Sequence, residues 1–153
     1  MQEEPQNHGM ERRMVHRLLM HWRSAQEDDE IPCFRDILSR DLGDIHPFIY
    51  MLQIDEEGAE PVFERIGTAF AGEGTTALVG QPVSAAPGTT LLGQASRNYG
   101  RVQSKQIPIT LGSEFVHENG DTILYRSIIM PAQDHENDSR HLIGAANFKV
   151  KDA

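Results

Sequence analysis

The chain has 153 residues, a hydrophobic fraction of 39% and a formal net charge of −9, which gives room for one hydrophobic core and no second. The acidic balance opposes nucleic acid as a partner, because that recognition rests on cationic contacts to phosphate. A single cysteine, Cys33, excludes an internal disulfide and fits a reducing compartment, and with no basic–apolar leader and no apolar run of about 18 residues the chain reads as cytoplasmic, with no integral membrane segment.

Residues 1–9 are acidic and polar and read as a disordered leader. From residue 10 to residue 25, Met10, Met14, Leu18 and Trp22 recur every four positions, with Val15, Leu19 and Ala25 beside them. This is an amphipathic helix whose stripe must be buried against its own domain or a partner. Arg12, Arg13, Arg17 and Arg23 fall on its solvated side. The run Glu27-Asp28-Asp29-Glu30 ends the pattern at residue 26, and residues 27–153 form the domain proper. Residues 34–46 predict a short helix or helical turn ending before Pro47. Phe48 to Ile54 and Val62 to Ile66 are rich in aromatic and β-branched residues and predict two strands of a hairpin.

Gly, Ala, Thr and Pro dominate residues 67–88, which predicts loops and short helical turns. Leu91, Leu92, Ala95, Tyr99 and Val102 keep a helical spacing, so one helix is expected from Thr89 to about Lys105. Strands at 107–117 and 121–131 flank Asn119-Gly120, a pair suited to a two-residue type I′ turn. That turn would pair Val116 with Ile123, Phe115 with Leu124 and Leu111 with Ile128. A polar loop follows Pro131, and residues 142–150 predict a last strand. Apolar groups on both faces of the hairpin indicate a sheet covered on two sides. The middle helices would cover one side, and the N-terminal helix or a second subunit the other. The fold class is α+β: a five-stranded antiparallel sheet with helices inserted between strands two and three.

That order resembles the PAS fold. In detail the chain resembles a PAS family of single-domain alphaproteobacterial proteins linked to motility and cell-cycle regulation. The resemblance rests on His21-Trp22-Arg23 in the first helix, Ile31-Pro32 with Arg35-Asp36, Pro47 through Asp55, Phe63 through Thr68, Leu78-Val79-Gly80-Gln81-Pro82 and Pro131. It spans roughly residues 15–150. It departs at the acidic run after the first helix and at Val79, where the family has threonine. The resemblance implies a sensory or regulatory module that binds partners or a small ligand and can dimerise.

Catalytic and cofactor chemistry finds little to stand on. Haem would call for an axial ligand, often a histidine on the middle helix, and Thr89 to Lys105 has none. An adduct-forming flavin would use a cysteine after the second strand, whereas Cys33 precedes the first. His117 and His141 are expected at the surface. His16 with His21, and the group His135, Glu136, Asp138 and His141, lack convincing metal spacing. Gly72, Gly74 and Gly80 do not make a phosphate loop, and no serine carries a nucleophile elbow. The chain is therefore read as a non-enzyme with no predicted cofactor. Tyr50, Phe63, Phe70, Leu92, Tyr99, Phe115 and Tyr125 either line a ligand cavity or fill the core. Met14, Leu18, Leu19 and Trp22 form the expected interaction face. The first reading is a signalling module acting through protein contacts, with homodimerisation and a small-molecule ligand as further expectations. The alternatives are a small-molecule sensor with an occupied pocket and a cystatin-like cone-fold enzyme or carrier.

Overall fold

The alternating residues of the last third build the long central strands of the sheet in the computed structural model, which describes residues 3–28, 30–55 and 59–151, with side chains from Arg13 onward. Asp29, residues 56–58, residues 152–153 and the first two residues of the expected leader lie outside what is described, as do the side chains of Met10 and Arg12. Helix α1 spans Glu3–Ala25 and α2 spans Phe34–Leu38. Strands β1 (Ile49–Ile54) and β2 (Val62–Ile66) follow, then short 3-10 turns at 68–73, 75–78 and 83–85. Helices α3 (Leu91–Ser96) and α4 (Tyr99–Lys105) precede β3 (Ile109–Val116), β4 (Thr122–Asp134) and β5 (Ser139–Val150). The sheet is antiparallel in the order β2-β1-β5-β4-β3. With helices between β2 and β3, this order removes the cone-fold alternative.

Two cores lie on the two faces of the sheet. On the inner face Tyr50, Leu52, Phe63, Phe70, Leu92 and Val102 pack with Phe115, Tyr125 and Ile129 beneath α3 and α4. On the outer face Met14, Leu18 and Trp22 of α1 pack on Ile49, Met51, Ile128, Met130 and Ile143. Each such side chain, fully buried, contributes roughly 1.5–3 kcal/mol of transfer free energy. The expected two-sided cover is thus met within one chain.

Several expectations need correcting. The helix expected to start at residue 10 is described from Glu3, inside the expected leader. The single helix expected over 89–105 is two, broken at Arg97-Asn98. Gly93, Ser96, Asn98, Tyr99 and Gly100 are weak helix formers, and together they outweigh the apolar spacing. The helix expected over 34–46 is likewise split into α2 and a 3-10 turn at 43–48 that contains Pro47.

The hairpin turn is the correction with the widest consequence. The Gly120 N–H donates to the His117 carbonyl at 2.9 Å, and the His117 N–H to the Asp121 carbonyl at 2.8 Å. Among the turn residues Gly120 alone has positive φ, at 93°. The loop therefore holds three residues, as in a type I turn with a G1 bulge, and not the two of a type I′ turn. Pairing shifts by one residue: Phe115 faces Ile123 and Ser113 faces Tyr125. A slip of one moves partner side chains between faces. Phe115, Ile123, Tyr125 and Ile129 consequently share the inner face, and Ile128 lies on the outer one.

Pro131 does not end β4, which runs on to Asp134. Proline lacks an N–H and is tolerated in a strand where no ladder partner needs one. β3 pairs with β4 only as far as Ile129, so that side of Pro131 has no strand beside it. The Pro131 carbonyl on this edge accepts the Trp22 indole N–H at 2.7 Å. Just beyond, Cys33 bridges to Gln133, and the Gln133 N–H donates to the Pro32 carbonyl at 2.9 Å.

Candidate functional site

The seven residues named from sequence as ligand-lining or core converge on the inner face. Tyr50, Phe63, Phe70, Leu92, Phe115 and Tyr125 belong to one buried cluster, and Tyr99 packs against it, partly buried. Tyr50 makes edge contacts with Phe63 and Phe70, at centroid distances of 6.5 and 6.0 Å, and Phe115 makes one with Tyr125 at 5.8 Å. The Tyr50 ring occupies space left by Gly144, where an added Cβ would meet its Cζ at 2.2 Å. Its hydroxyl is buried and has no hydrogen-bond partner among the described residues, and burial pushes the phenol pKa far up.

Beyond this cluster the inner face carries a cavity of about 240 Å³, and of the seven residues only Phe115 lines it. Its floor is a cross-strand row, Phe115, Ile123 and Val150, with Phe148 in the next row. β1 begins at Ile49, which pairs with Ala145, so Phe148 and Val150 lie past the end of β1. They are 42% and 48% exposed. One wall is Ala69, Gly72 and Glu73 with Leu91, and the rim is His117, Asn119 and Asp121. Both Glu73 carboxylate oxygens lie 2.9 Å from the Leu91 amide, and Oε2 lies 3.1 Å from His117 Nε2. The three-residue loop places His117 and Asp121 opposite each other at this rim. Sequence reasoning missed the site because the assumed register put Ile123 and Phe115 on opposite faces.

On the outer face, the stripe expected to be an interaction face is occupied by the chain itself. Met14, Leu18 and Trp22 are buried against the sheet, and Leu19 is partly buried beside them. A groove of about 300 Å³ runs between α1 and the β3–β4 ribbon, lined by Val15, His16, Leu19, Gly112, Arg126 and Ser127 among others.

His141, expected at the surface, is 3% exposed. Its Nδ1 lies 2.7 Å from Glu64 Oε1 and its Nε2 lies 2.8 Å from Ser139 Oγ, and its ring packs on Phe34 at 4.7 Å. A carboxylate only accepts, so Nδ1 carries the proton and donates. In the neutral ring Nε2 then accepts from the Ser139 hydroxyl. This Ser–His–Glu chain ties β5 to β2 across β1. Neither cavity is lined by Ser139 or His141, and the arrangement acts as a strut. Nearby, Arg35 grips Asp134 with two hydrogen bonds of 2.8 and 3.1 Å. Those bonds first, and that from Asn137 next, hold the Asp134 carboxyl well below the usual range. Among the described residues no cluster of three or more His, Cys, Asp or Glu side chains is arranged to hold a metal ion, and no helix is long and apolar enough to cross a membrane.

No family model and no curated protein matches the chain. Solved structures do. The dark structure of the blue-light photoreceptor Aureochrome1 LOV gives a TM-score of 0.51 at 13% identity, covering 83% of this chain and 88% of that one. A light-oxygen-voltage domain studied with a flavin analogue gives 0.50 at 12% identity, covering 73% and 84%. The PAS domain of BvgS from Bordetella pertussis gives 0.44 at 18% identity, covering 66% and 74%. At these identities the likeness concerns the fold, and the fold is the α+β PAS fold: a five-stranded antiparallel sheet ordered 2-1-5-4-3, helices between β2 and β3, and an N-terminal helix.

Proposed function

We propose that the chain is a regulatory PAS module that signals through protein–protein contacts, with α1 as its output element. The observation that carries this reading is the way α1 is held. Its apolar stripe covers the outer face of the sheet, and among the described side chains its one fully buried hydrogen bond, Trp22 to Pro131, holds it there. Lifting α1 away would open Ile49, Met51, Ile128, Met130 and Ile143 as one apolar surface for a partner, including a second copy. Two arrangements of one helix are what a signal needs in order to shift a population. The resemblance of His21-Trp22-Arg23 and the later motifs to single-domain regulators of motility and the cell cycle supports the same reading, as does the photoreceptor role named for the structural neighbours. The module works in the cytoplasm, without catalysis and without haem or an adduct-forming flavin. Cys33 precedes β1, and α3 and α4 contain no histidine.

Removing residues 1–26 tests the role of α1. The shortened chain is expected to self-associate or to bind a hydrophobic dye, as its outer face opens. A shortened chain that stays equally stable, in the same oligomeric state and without dye binding would overturn the proposal. The alternative, a sensor with a small molecule held in the domain, is favoured by one observation, the inner-face cavity beyond the aromatic cluster.

A further inference from the structure

We infer that this cavity is a binding site for a small cationic molecule with a flat apolar body, such as an aryl-alkyl ammonium. The inference concerns the opposite face of the sheet from α1 and does not depend on the role of α1.

Size comes first. An apolar cavity of about 150 Å³ takes up benzene, so the 240 Å³ here suits a bicyclic ring. Shape and polarity come next. The floor of Phe115, Ile123, Phe148 and Val150 is apolar, and two of its members stay substantially exposed although they lie in one contiguous row pair. A concave site with an apolar floor and a few convergent polar groups is the usual form of a small-ligand site. Charge then selects the ligand. The wall carries the Glu73 carboxylate, bonded to His117, and the rim adds a second carboxylate, Asp121. Glu73 is fixed as an acceptor by the Leu91 amide and the His117 ring. Lys151 is engaged with Glu114 at 3.7 Å. In a chain of net charge −9 this rim favours a positive group and disfavours a carboxylate. A ring lying on the apolar floor would leave an alkyl ammonium to meet the Asp121 side of the rim, and the face of the exposed Phe148 ring would also attract a cation.

The test is a methyl and amide NMR titration of the full chain with tryptamine, the neutral tryptophol and the anionic indole-3-acetate. Tryptamine is expected to give saturable shifts at Ile123, Phe148 and Val150, with a Kd at least fivefold below that of tryptophol and no saturation by indole-3-acetate. Asp121→Asn, a change in an exposed turn, is expected to remove most of the difference between tryptamine and tryptophol. Val150→Lys, at a half-exposed position, is expected to abolish the shifts with the rest of the spectrum intact. Three outcomes would overturn the inference: no saturable shift with any probe, equal affinity for all three, or shifts confined to the groove beside α1. Concentration-dependent broadening at Phe148 and Val150 without ligand would also overturn it, because it would assign the patch to a second copy of the chain.

Discussion

Replacing Tyr50 by phenylalanine should make the protein more stable. The ring sits at the centre of the inner core between Phe63 and Phe70, above Gly144. Its hydroxyl is fully buried and unpartnered among the described residues. Holding a hydroxyl out of water without a hydrogen bond costs about 1–3 kcal/mol in protein mutational series. Phenylalanine keeps every ring contact and removes only the oxygen, so the void it leaves is small. For a chain of this size each kcal/mol moves Tm by about 2–4 °C, which gives a rise of roughly 2–12 °C. The assay is reversible thermal or urea unfolding of the two proteins at neutral pH. An alkaline series adds a signature. The folded phenol has a raised pKa, so its neutral form is retained on folding. The stability linked to it is complete below the unfolded value of about 10 and is lost as pH rises above that value. The phenylalanine variant should lose less stability above pH 10, with a remainder from Tyr125, whose pKa burial also raises. A variant whose Tm equals or falls below that of the wild type would refute the reasoning, by showing that the hydroxyl has a partner in solution.

Gly144→Ala should be strongly destabilising, by about 1–3 kcal/mol or more, since overpacking a closed core forces backbone shifts; the added Cβ would meet Tyr50 Cζ at 2.2 Å, and urea unfolding would measure it. Acid unfolding should depend on Asp134. Its carboxyl is held low, chiefly by Arg35, so its contribution is present above the unfolded value near 4 and is lost as pH falls toward the depressed folded value. Asp134→Asn should therefore flatten the acid limb of a stability–pH curve and leave the alkaline limb unchanged. Ser139→Ala should destabilise modestly, by about 0.5–1.5 kcal/mol, as expected for one lost hydrogen bond to His141, and equilibrium unfolding would detect it.

Strand and helix types were legible from residue patterns alone, and the reasons for the failures are local. Phe48 to Ile54 and Val62 to Ile66 announce β1 and β2 because aromatic and β-branched residues bounded by turn residues leave few alternatives. The amphipathic stripe of α1 likewise pointed to burial, but could not choose between the chain's own sheet and a partner. The choice is made at Trp22, whose indole N–H needs an acceptor, and at Pro131, whose carbonyl has no strand beside it. These residues are 109 positions apart in the chain, and nothing in local pattern connects them. Asn119-Gly120 correctly marked a turn but misled on its length. Asn-Gly serves both the two-residue and the three-residue loop, and one residue of difference decides which side chains share a face. The cavity was hidden for that reason. Its floor depends on the register, and on β5 running past the start of β1. His141 was misplaced because a polar residue near a strand end is usually exposed. Here Glu64, two strands away, and Ser139 satisfy both ring nitrogens.

The releasable docking of α1 is the central claim, and hydrogen exchange of the full chain tests it most directly. The account predicts that amides of α1 from Arg13 to Ala25 exchange through an opening lower in free energy than that of β4 and β5. Trp22→Phe removes the buried side-chain bond to Pro131, which at about 1–3 kcal/mol corresponds to roughly 5- to 150-fold faster exchange. That acceleration should be confined to α1 and the exposed outer face of the sheet. If α1 instead exchanges only with the global unfolding of β4 and β5, and Trp22→Phe accelerates all three together, α1 is a fixed part of the core and the account is contradicted.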